Sequence, residues 1–269
     1  MGPVDVSCLI VVMTSLCIAG ATGWTGRALV AGALAAEDLE LKSGVSRSAA
    51  GQELDGVPIY ATVAEALDGV DVVIDYTDVH VAKANALTAV ARGVAVVIGT
   101  SGLTADDFAE IDAAARAAGV GVIASGNFSL TAAMASAGAL LAARHLPSWE
   151  VIDYASAGKA DVPSGTAREL AERLGQVRAS EIQVAVEDLH GPQEARGAGI
   201  GGTRVHSVRL PSFVVSTEVV FGMPDERLTI RHDAGGSPQP YVAGTLLAAR
   251  RAPAVTGLIR GLDTLLLGD

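Results

Sequence analysis

The sequence predicts an α/β protein in two parts: a doubly wound parallel sheet in the first half and a smaller α+β domain with a mostly antiparallel sheet in the second. Three observations carry this reading. Short apolar runs alternate with helical patterns as far as Phe128, as expected of a sheet buried on both faces. Those runs end in glycine and hydroxyl residues, at the strand ends where open α/β sheets bind ligands. From Arg204 onward, strand-like segments follow one another across short turns, which favours antiparallel pairing in a separate unit. The expected division is residues 1–128, with 240–269 packing back on them, and residues 129–239.

A chain of 269 residues holds one large domain or two ordinary ones, and a composition 50% hydrophobic but only 4% aromatic means a core of Ala, Val, Leu and Ile. The formal net charge of −11 argues against nucleic-acid binding, which needs a basic face for phosphates. A small anion answers to local donors and stays allowed. Cys8 and Cys17 are too few for a disulfide framework or a zinc site, so no metal and a reducing, cytoplasmic location are expected. No charged residue stands between Val6 and Gly26, yet the only early charge is Asp5, whereas a secretory signal opens on Lys or Arg. The expectation is a soluble protein with no membrane partner. Its first strand is Ser15–Ala19, behind an apolar extension at Met1–Thr14, with Met13 as an alternative start.

Leu16–Ala19 and Gly20–Leu29 read as strand, glycine turn and helix. Glycines at 20, 23 and 26 allow a tight turn, close approach of a pyrophosphate and helix-on-strand packing, a Rossmann-like signature in G-x-x-G-x-x-G form. The bland alternative is a glycine-rich turn in a nucleotide-free domain. The second strand, Leu39–Val45, ends in Ser46-Arg47-Ser48. NAD-specific sites place a carboxylate there for the ribose, whereas an arginine suits a 2′-phosphate. NADPH is therefore the favoured cofactor, with NADH as the alternative. A helical stretch at Ala64–Leu67 follows, then a strand at Val70–Thr77 and a helix at Ala82–Ala91. Next come a strand at Val94–Ile98 ending in Gly99–Gly102, a helix at Asp106–Ala118, and a strand at Val120–Ala124 ending in Ser125–Ser129.

The second half opens with a helix at Ala132–Arg144 and a strand at Trp149–Tyr154. Lys159-Ala160-Asp161-Val162-Pro163-Ser164-Gly165-Thr166-Ala167-Arg168 then leads into a helical pattern of Ala167, Leu170, Ala171 and Leu174. The first turn of a helix leaves N–H groups without partners. Those donors, the Ser164 and Thr166 hydroxyls and the positive end of the helix dipole make a seat for a carboxylate, to which Lys159 adds a charge or a proton. A capped surface helix behind a solvated lysine is the bland alternative. Gly191–Gly202 is too irregular to assign; strands follow at Arg204–Leu210, Phe213–Phe221 and Glu226–Asp233, then a helix at Tyr241–Arg251. His80, His145 and His190 are scattered and read as surface residues, while His206 and His232 lie in strands and read as structural.

Seven segments carry a resemblance: GATGWTGR at 20–27, VVIDYT at 72–77, VVIGTSGL at 96–103, GNFS at 126–129, KADVPSGTA at 159–167, HSVRLP at 206–211 and ERLTIRHDA at 226–234. With them the chain resembles the dihydrodipicolinate reductase family (4-hydroxy-tetrahydrodipicolinate reductase, in lysine biosynthesis) from about Leu16 to its end. The resemblance implies a nicotinamide-binding first domain, a substrate domain whose sheet builds a homotetramer, and hydride transfer to an unsaturated, carboxylated nitrogen heterocycle. By motif position Gly20, Gly23, Trp24, Thr25 and Gly26 would hold the pyrophosphate, and Arg47, beside Ser46, would reach the adenosine ribose or its phosphate. Gly99, Thr100, Ser101, Asn127 and Phe128, with Thr77 at the neighbouring strand end, would line the nicotinamide. Lys159 matches the family's catalytic lysine, and Ser164, Gly165 and Thr166 match its holders of a substrate carboxylate.

The substrate half also departs from the family pattern. Where members carry a histidine-rich run with the presumed acid–base histidine, this chain has Ala155-Ser156-Ala157-Gly158. The basic residue usual after the HDA-like segment is missing from Gly235-Gly236-Ser237-Pro238, and a segment that often holds histidine reads Val214-Val215-Ser216-Thr217. Asp78 follows the Thr77 strand end, and Gly126 stands where a proline is common. Each lost charge-assisted hydrogen bond is worth roughly 1.5–3 kcal/mol, and a lost general acid ~10²–10⁴-fold in rate. The expectation is an NAD(P)H-dependent imine reductase whose carboxylated C=N or conjugated substrate is not the usual dihydrodipicolinate. Two alternatives stand beside it: the authentic 4-hydroxy-tetrahydrodipicolinate reductase, and a catalytically silent NADPH-binding protein.

Overall fold

The computed structural model of the protein describes residues 13–268. Most of the apolar extension expected at Met1–Thr14, Cys8 included, lies outside the described residues. The first half contains β1 (Thr14–Ala19), α1 (Trp24–Leu34), β2 (Leu39–Val45), β3 (Glu53–Leu54), β4 (Val57–Tyr60), β5 (Val72–Asp75), α2 (Val79–Val90), β6 (Ala95–Ile98), α3 (Ala105–Ala118) and β7 (Gly121–Ala124). The second contains α4 (Leu130–Ala143), β8 (Ser148–Ala155), α5 (Gly165–Val177), β9 (Ala198–Ile200), β10 (Thr203–Arg209), β11 (Val215–Met223), β12 (Glu226–Asp233), α6 (Gln239–Arg251), β13 (Gly257–Arg260) and α7 (Leu262–Leu267).

The first sheet runs β13-β7-β6-β5-β1-β2-β4-β3. Every pairing in it is parallel except the β3–β4 hairpin. Helices cover both faces of the central strands, and every residue of β5, β6 and β7 is buried. β1 lies between β2 and β5, so the chain winds away from it in both directions. The C-terminal end of β1 is thus the switch point at which such sheets bind ligands.

The second sheet runs β12-β11-β8-β10-β9 and is antiparallel except for β8 with β10. α5 makes that parallel connection, as a crossover must. β8 alternates strictly: Trp149, Val151, Asp153 and Ala155 are buried, while Ser148, Glu150, Ile152 and Tyr154 are partly exposed. A separate core forms between this sheet and α4 and α5, around Trp149, Val151, Leu174, Val205 and Phe221.

Three of the departures from the sequence expectation lie in or beside the first sheet. The β3–β4 hairpin, turning at Asp55 and Gly56 with positive φ, extends the first sheet beyond β2. The helical stretch expected at Ala64–Leu67 is one 3₁₀ turn, Val63–Glu65, closed by a capping box between Thr62 and Glu65. The chain's last strand, β13, crosses back to pair with β7. α6 returns with it: Val242 fills the space above Gly32 of α1, and the Tyr76 hydroxyl meets Thr245 Oγ1 at 2.9 Å. No helix among the described residues is long and apolar enough to cross a membrane.

Candidate active site

The turn after β1 is shaped by contact. Gly20 has φ +85°, and a Cβ there would run into the Tyr76 carbonyl; a Cβ on Gly26 would run into the Gly20 carbonyl. Gly23, by contrast, caps α1 with only the Gly20 oxygen nearby, at 3.1 Å from an added Cβ. The first-turn N–H groups of Trp24 and Thr25 find no intrahelical partner, which makes this helix start a seat for an anion.

Beside it lies a cavity of about 550 Å³ containing Gly20, Gly23, Ser46, Arg47 and Thr77 from the expected set, together with Thr22, Ser48, Asp78 and Asn85. Ser46 Oγ meets Thr22 Oγ1 at 2.7 Å, tying the end of β2 to the glycine turn. Arg47 is exposed, with no ion-pair partner among the described residues. Asp78 enters the same cavity, but its carboxylate caps α2 by accepting the His80 N–H at 2.9 Å.

A second cavity, about 190 Å³, lies between the two domains. Trp24, Thr25, Gly99, Ser101, Asn127 and Phe128 line it from the first domain, and Lys159, Ser164, Gly165 and Thr166 from the second. Ser125, Gly126, Tyr76, Val215 and Tyr241 complete the wall, and of these Tyr241 was not expected there. Tyr76 also lines the larger cavity, so the two adjoin. Tyr241 stands edge-on to Trp24 with ring centroids 6.2 Å apart, which brings α6 into the cleft. Gly99 is glycine because the Tyr76 ring lies where its Cβ would be.

Some expected residues act from outside these walls. Gly26 packs beneath the turn. Thr100 Oγ1 is drawn inward to the buried carboxylate of Asp75 at 2.6 Å, and Thr77 Oγ1 meets the same oxygen at 2.7 Å. Asp75 therefore organises the ends of β5 and β6, and the Thr100 hydroxyl is not directed at a ligand.

The second-domain side needs one larger correction. Ser164 is the N-cap of α5, but its single proton goes to Asp153 Oδ1 at 2.7 Å, while its oxygen accepts the Ala167 N–H at 3.3 Å. Thr166 Oγ1 likewise donates to the Gly126 carbonyl at 3.0 Å. The hydroxyls expected to bind a carboxylate are thus already used. What remains open is the N–H pair of Gly165 and Thr166 at the positive end of the helix.

Lys159 Nζ pairs with Asp161 Oδ1 at 2.8 Å, the other Asp161 oxygen being buried without a partner. The loop carrying both is braced from below. Asp153, fully buried, takes the Ser164 N–H at 2.9 Å, Ser207 Oγ at 3.2 Å and Arg209 Nη2 at 2.8 Å; that same guanidinium nitrogen reaches the Asp161 carbonyl at 2.7 Å. A buried charge persists only when paired and hydrogen-bonded. Asp153 had a signal in the sequence: it is a carboxylate in phase with Trp149 and Val151 on the inward face of β8. Positions 155–158 bring no titratable group to the cleft. Of the five histidines, His80, His145 and His190 are exposed, His206 Nε2 meets Glu150 at 2.7 Å, and His232 Nε2 meets Thr131 at 3.1 Å.

Known proteins match this arrangement along the whole described chain. Residues 14–128 match the family "Dihydrodipicolinate reductase, N-terminus" and residues 127–266 match "Dihydrodipicolinate reductase, C-terminus". The 4-hydroxy-tetrahydrodipicolinate reductase of Synechococcus elongatus is 36% identical over 264 residues, covering 92% of this chain and 96% of the relative. That of Streptococcus suis is 36% identical over 250 residues, covering 93% and 98%. Among solved structures, a dipicolinate-bound dihydrodipicolinate reductase from Paenisporosarcina sp. TG-14 superposes with a TM-score of 0.75 at 27% identity, over 94% of this chain and 99% of that one. GenD2 from gentamicin A biosynthesis, in complex with NAD, shares the fold at a TM-score of 0.63 and 15% identity, over 97% and 93%. The chain belongs to the dihydrodipicolinate reductase family and is an NAD(P)H-dependent oxidoreductase.

Proposed function

We propose that this enzyme reduces 4-hydroxy-tetrahydrodipicolinate, the substrate named for its curated relatives. One observation supports this above others. A single cleft faces nicotinamide-side residues (Gly99, Ser101, Asn127, Phe128) across from Lys159 and the open N–H pair of α5. The residues fit a dinucleotide: Gly20 and Gly26 leave no room for a Cβ, and Trp24 and Thr25 offer unpaired N–H groups to a pyrophosphate. Arg47 faces the adenosine end with Ser46 and Ser48, which supports NADPH over NADH. When bound, the cofactor supplies the hydride.

The rest falls to the chain's own side chains. Gly165 and Thr166 seat one substrate carboxylate on their N–H groups, and Lys159 stands beside it as the cation and proton donor for the acceptor nitrogen. Asp161 holds Lys159 in place, and the Asp153–Arg209 pair fixes the loop. Trp24 and Tyr241 narrow the mouth of the cleft against water. Under the same reading the enzyme is a cytoplasmic homotetramer, which light scattering on the purified protein tests.

A second reading has its own support. Positions 155–158 carry no acid, and among the described residues Lys159 is the only cationic side chain lining the cleft. That favours an imine with one carboxylate or greater bulk. Steady-state kinetics with NADPH and a panel of cyclic imines separates the two: the first reading expects kcat/KM highest for 4-hydroxy-tetrahydrodipicolinate, the second for a monocarboxylate.

A further inference from the structure

Glu169 lies on α5 one turn beyond the open N–H pair, and it is 7% exposed. Its carboxylate accepts the Gly126 N–H from the first domain. On its other side Arg173 stands 3.6 Å away and grips both oxygens of Asp263 in α7, at 2.5 and 2.6 Å. Two further bonds join the same segments: Thr166 Oγ1 to the Gly126 carbonyl at 3.0 Å, and Asn127 Nδ2 to Thr166 Oγ1 at 3.3 Å. The backbones meet directly. A Cβ on Gly126 would run into the Gly165 carbonyl and come within 3.0 Å of Thr166 N, and one on Gly165 would lie 2.9 Å from Ser101 Cβ.

A buried carboxylate is a costly way to hold two surfaces together, since an apolar side chain of similar volume usually does so at least as well. A hydrogen bond adds direction, which an apolar contact lacks. Here it fixes the amide next to Asn127 against the helix whose N–H groups seat the substrate. Hydride transfer demands such control, because a misplacement of about 1 Å costs about 10²-fold in rate. A residue acting this way touches neither reactant.

We propose that Glu169 is a positioning residue, which by accepting the Gly126 N–H sets the separation between the nicotinamide-side loop Ser125–Phe128 and the carboxylate seat at Gly165 and Thr166. This rests on the reading of the cleft given above. Glu169→Ala should lower kcat about 10–100-fold and raise the primary isotope effect with deuterated NADPH, while the NADPH Kd stays within about twofold of the parent. Glu169→Gln, whose carboxamide oxygen accepts the same bond, should retain kcat within about threefold. A Glu169→Ala enzyme with unchanged kcat, or a Glu169→Gln enzyme as impaired as Glu169→Ala, overturns the assignment. Should the alanine variant fail to fold, hydrogen exchange decides: the Gly126 amide must be protected in the parent and in Glu169→Gln, and rapid exchange in the parent overturns the proposal. A parent that reduces no imine defeats the proposed function instead, and the exchange result still judges Glu169.

Discussion

The two walls of the cleft are built by different means. The cofactor side rests on one glycine turn beside the cleft: Gly23 and Gly26 press on the Gly20 carbonyl, and Gly20 presses on the Tyr76 carbonyl at the adjacent strand end. The substrate wall is made by strangers. Ser164 depends on Asp153 and Asp153 on Arg209, across separations of 11 and 56 residues, and Glu169 ties this wall to the end of β7 across 43. A local turn keeps its geometry when distant residues drift. A wall held by buried charge pairs is exact only while every partner stays, which makes it the easier wall to retune for a new substrate.

The largest test of this contrast is Lys159→Met. It should lower kcat/KM by ~10²–10⁴-fold, as for loss of a general acid, and leave NADPH affinity unchanged. A matching loss of NADPH binding in a titration would show that the walls are not separable. Next, Asp153→Asn strands the Arg209 guanidinium and should cost about 3 kcal/mol in denaturant unfolding, with a raised KM for the acceptor. Gly20→Ala, by forcing a side chain into positive φ against the Tyr76 carbonyl, should cost about 1–3 kcal/mol and abolish NADPH binding while the second domain keeps its spectrum. Arg47→Ala should be milder: about tenfold weaker NADPH binding, from loss of one charge-assisted bond, and unchanged NADH binding by fluorescence titration.

The smallest effects concern pH, and they have opposite signs at Asp107 and Glu169. Asp107, in the capping box with Thr104 and paired to Lys83, is held at a pKa of about 2, chiefly by the Thr104 N–H and hydroxyl. Its contribution is present above the ordinary aspartate range and lost as pH falls toward 2, so Asp107→Asn, which keeps the acceptor oxygen but not the charge, should flatten the acid limb of stability. Burial pushes Glu169 above the ordinary range, against the Gly126 N–H and the nearby arginines. Its contribution is complete below the unfolded pKa and declines as pH rises through the folded one. Glu169→Gln should therefore lose less stability than the parent as pH rises, measured by thermal melts across the range.

How far the sequence could be read follows the same division. β1, the glycine turn, the strands β2 and β5–β7 and the start of α5 were all readable, because apolar runs and turn residues act over a few positions. The β3–β4 hairpin had its signal in Asp55-Gly56, but strands as short as Glu53–Leu54 carry too little pattern beside it. β13 and Tyr241 were hidden for another reason: the chain leaves the first domain and returns, and no local pattern says which edge it will join. In the cleft, residue types were readable and hydrogen-bond commitments were not. Ser164 and Thr166 read as ligand donors until Asp153 and the Gly126 carbonyl were seen to take their protons. Glu169 and Arg173, four apart on a helix, offer no local sign beyond ordinary i,i+4 spacing, and folding places them at the domain junction.

Reduction of 4-hydroxy-tetrahydrodipicolinate by the purified parent enzyme, followed as NADPH oxidation, judges the shared cleft itself. Saturable NADPH consumption that requires the acceptor, and that disappears in Lys159→Met while NADPH still binds, is the predicted result. An enzyme that binds NADPH yet oxidises none with this or any other imine would contradict it.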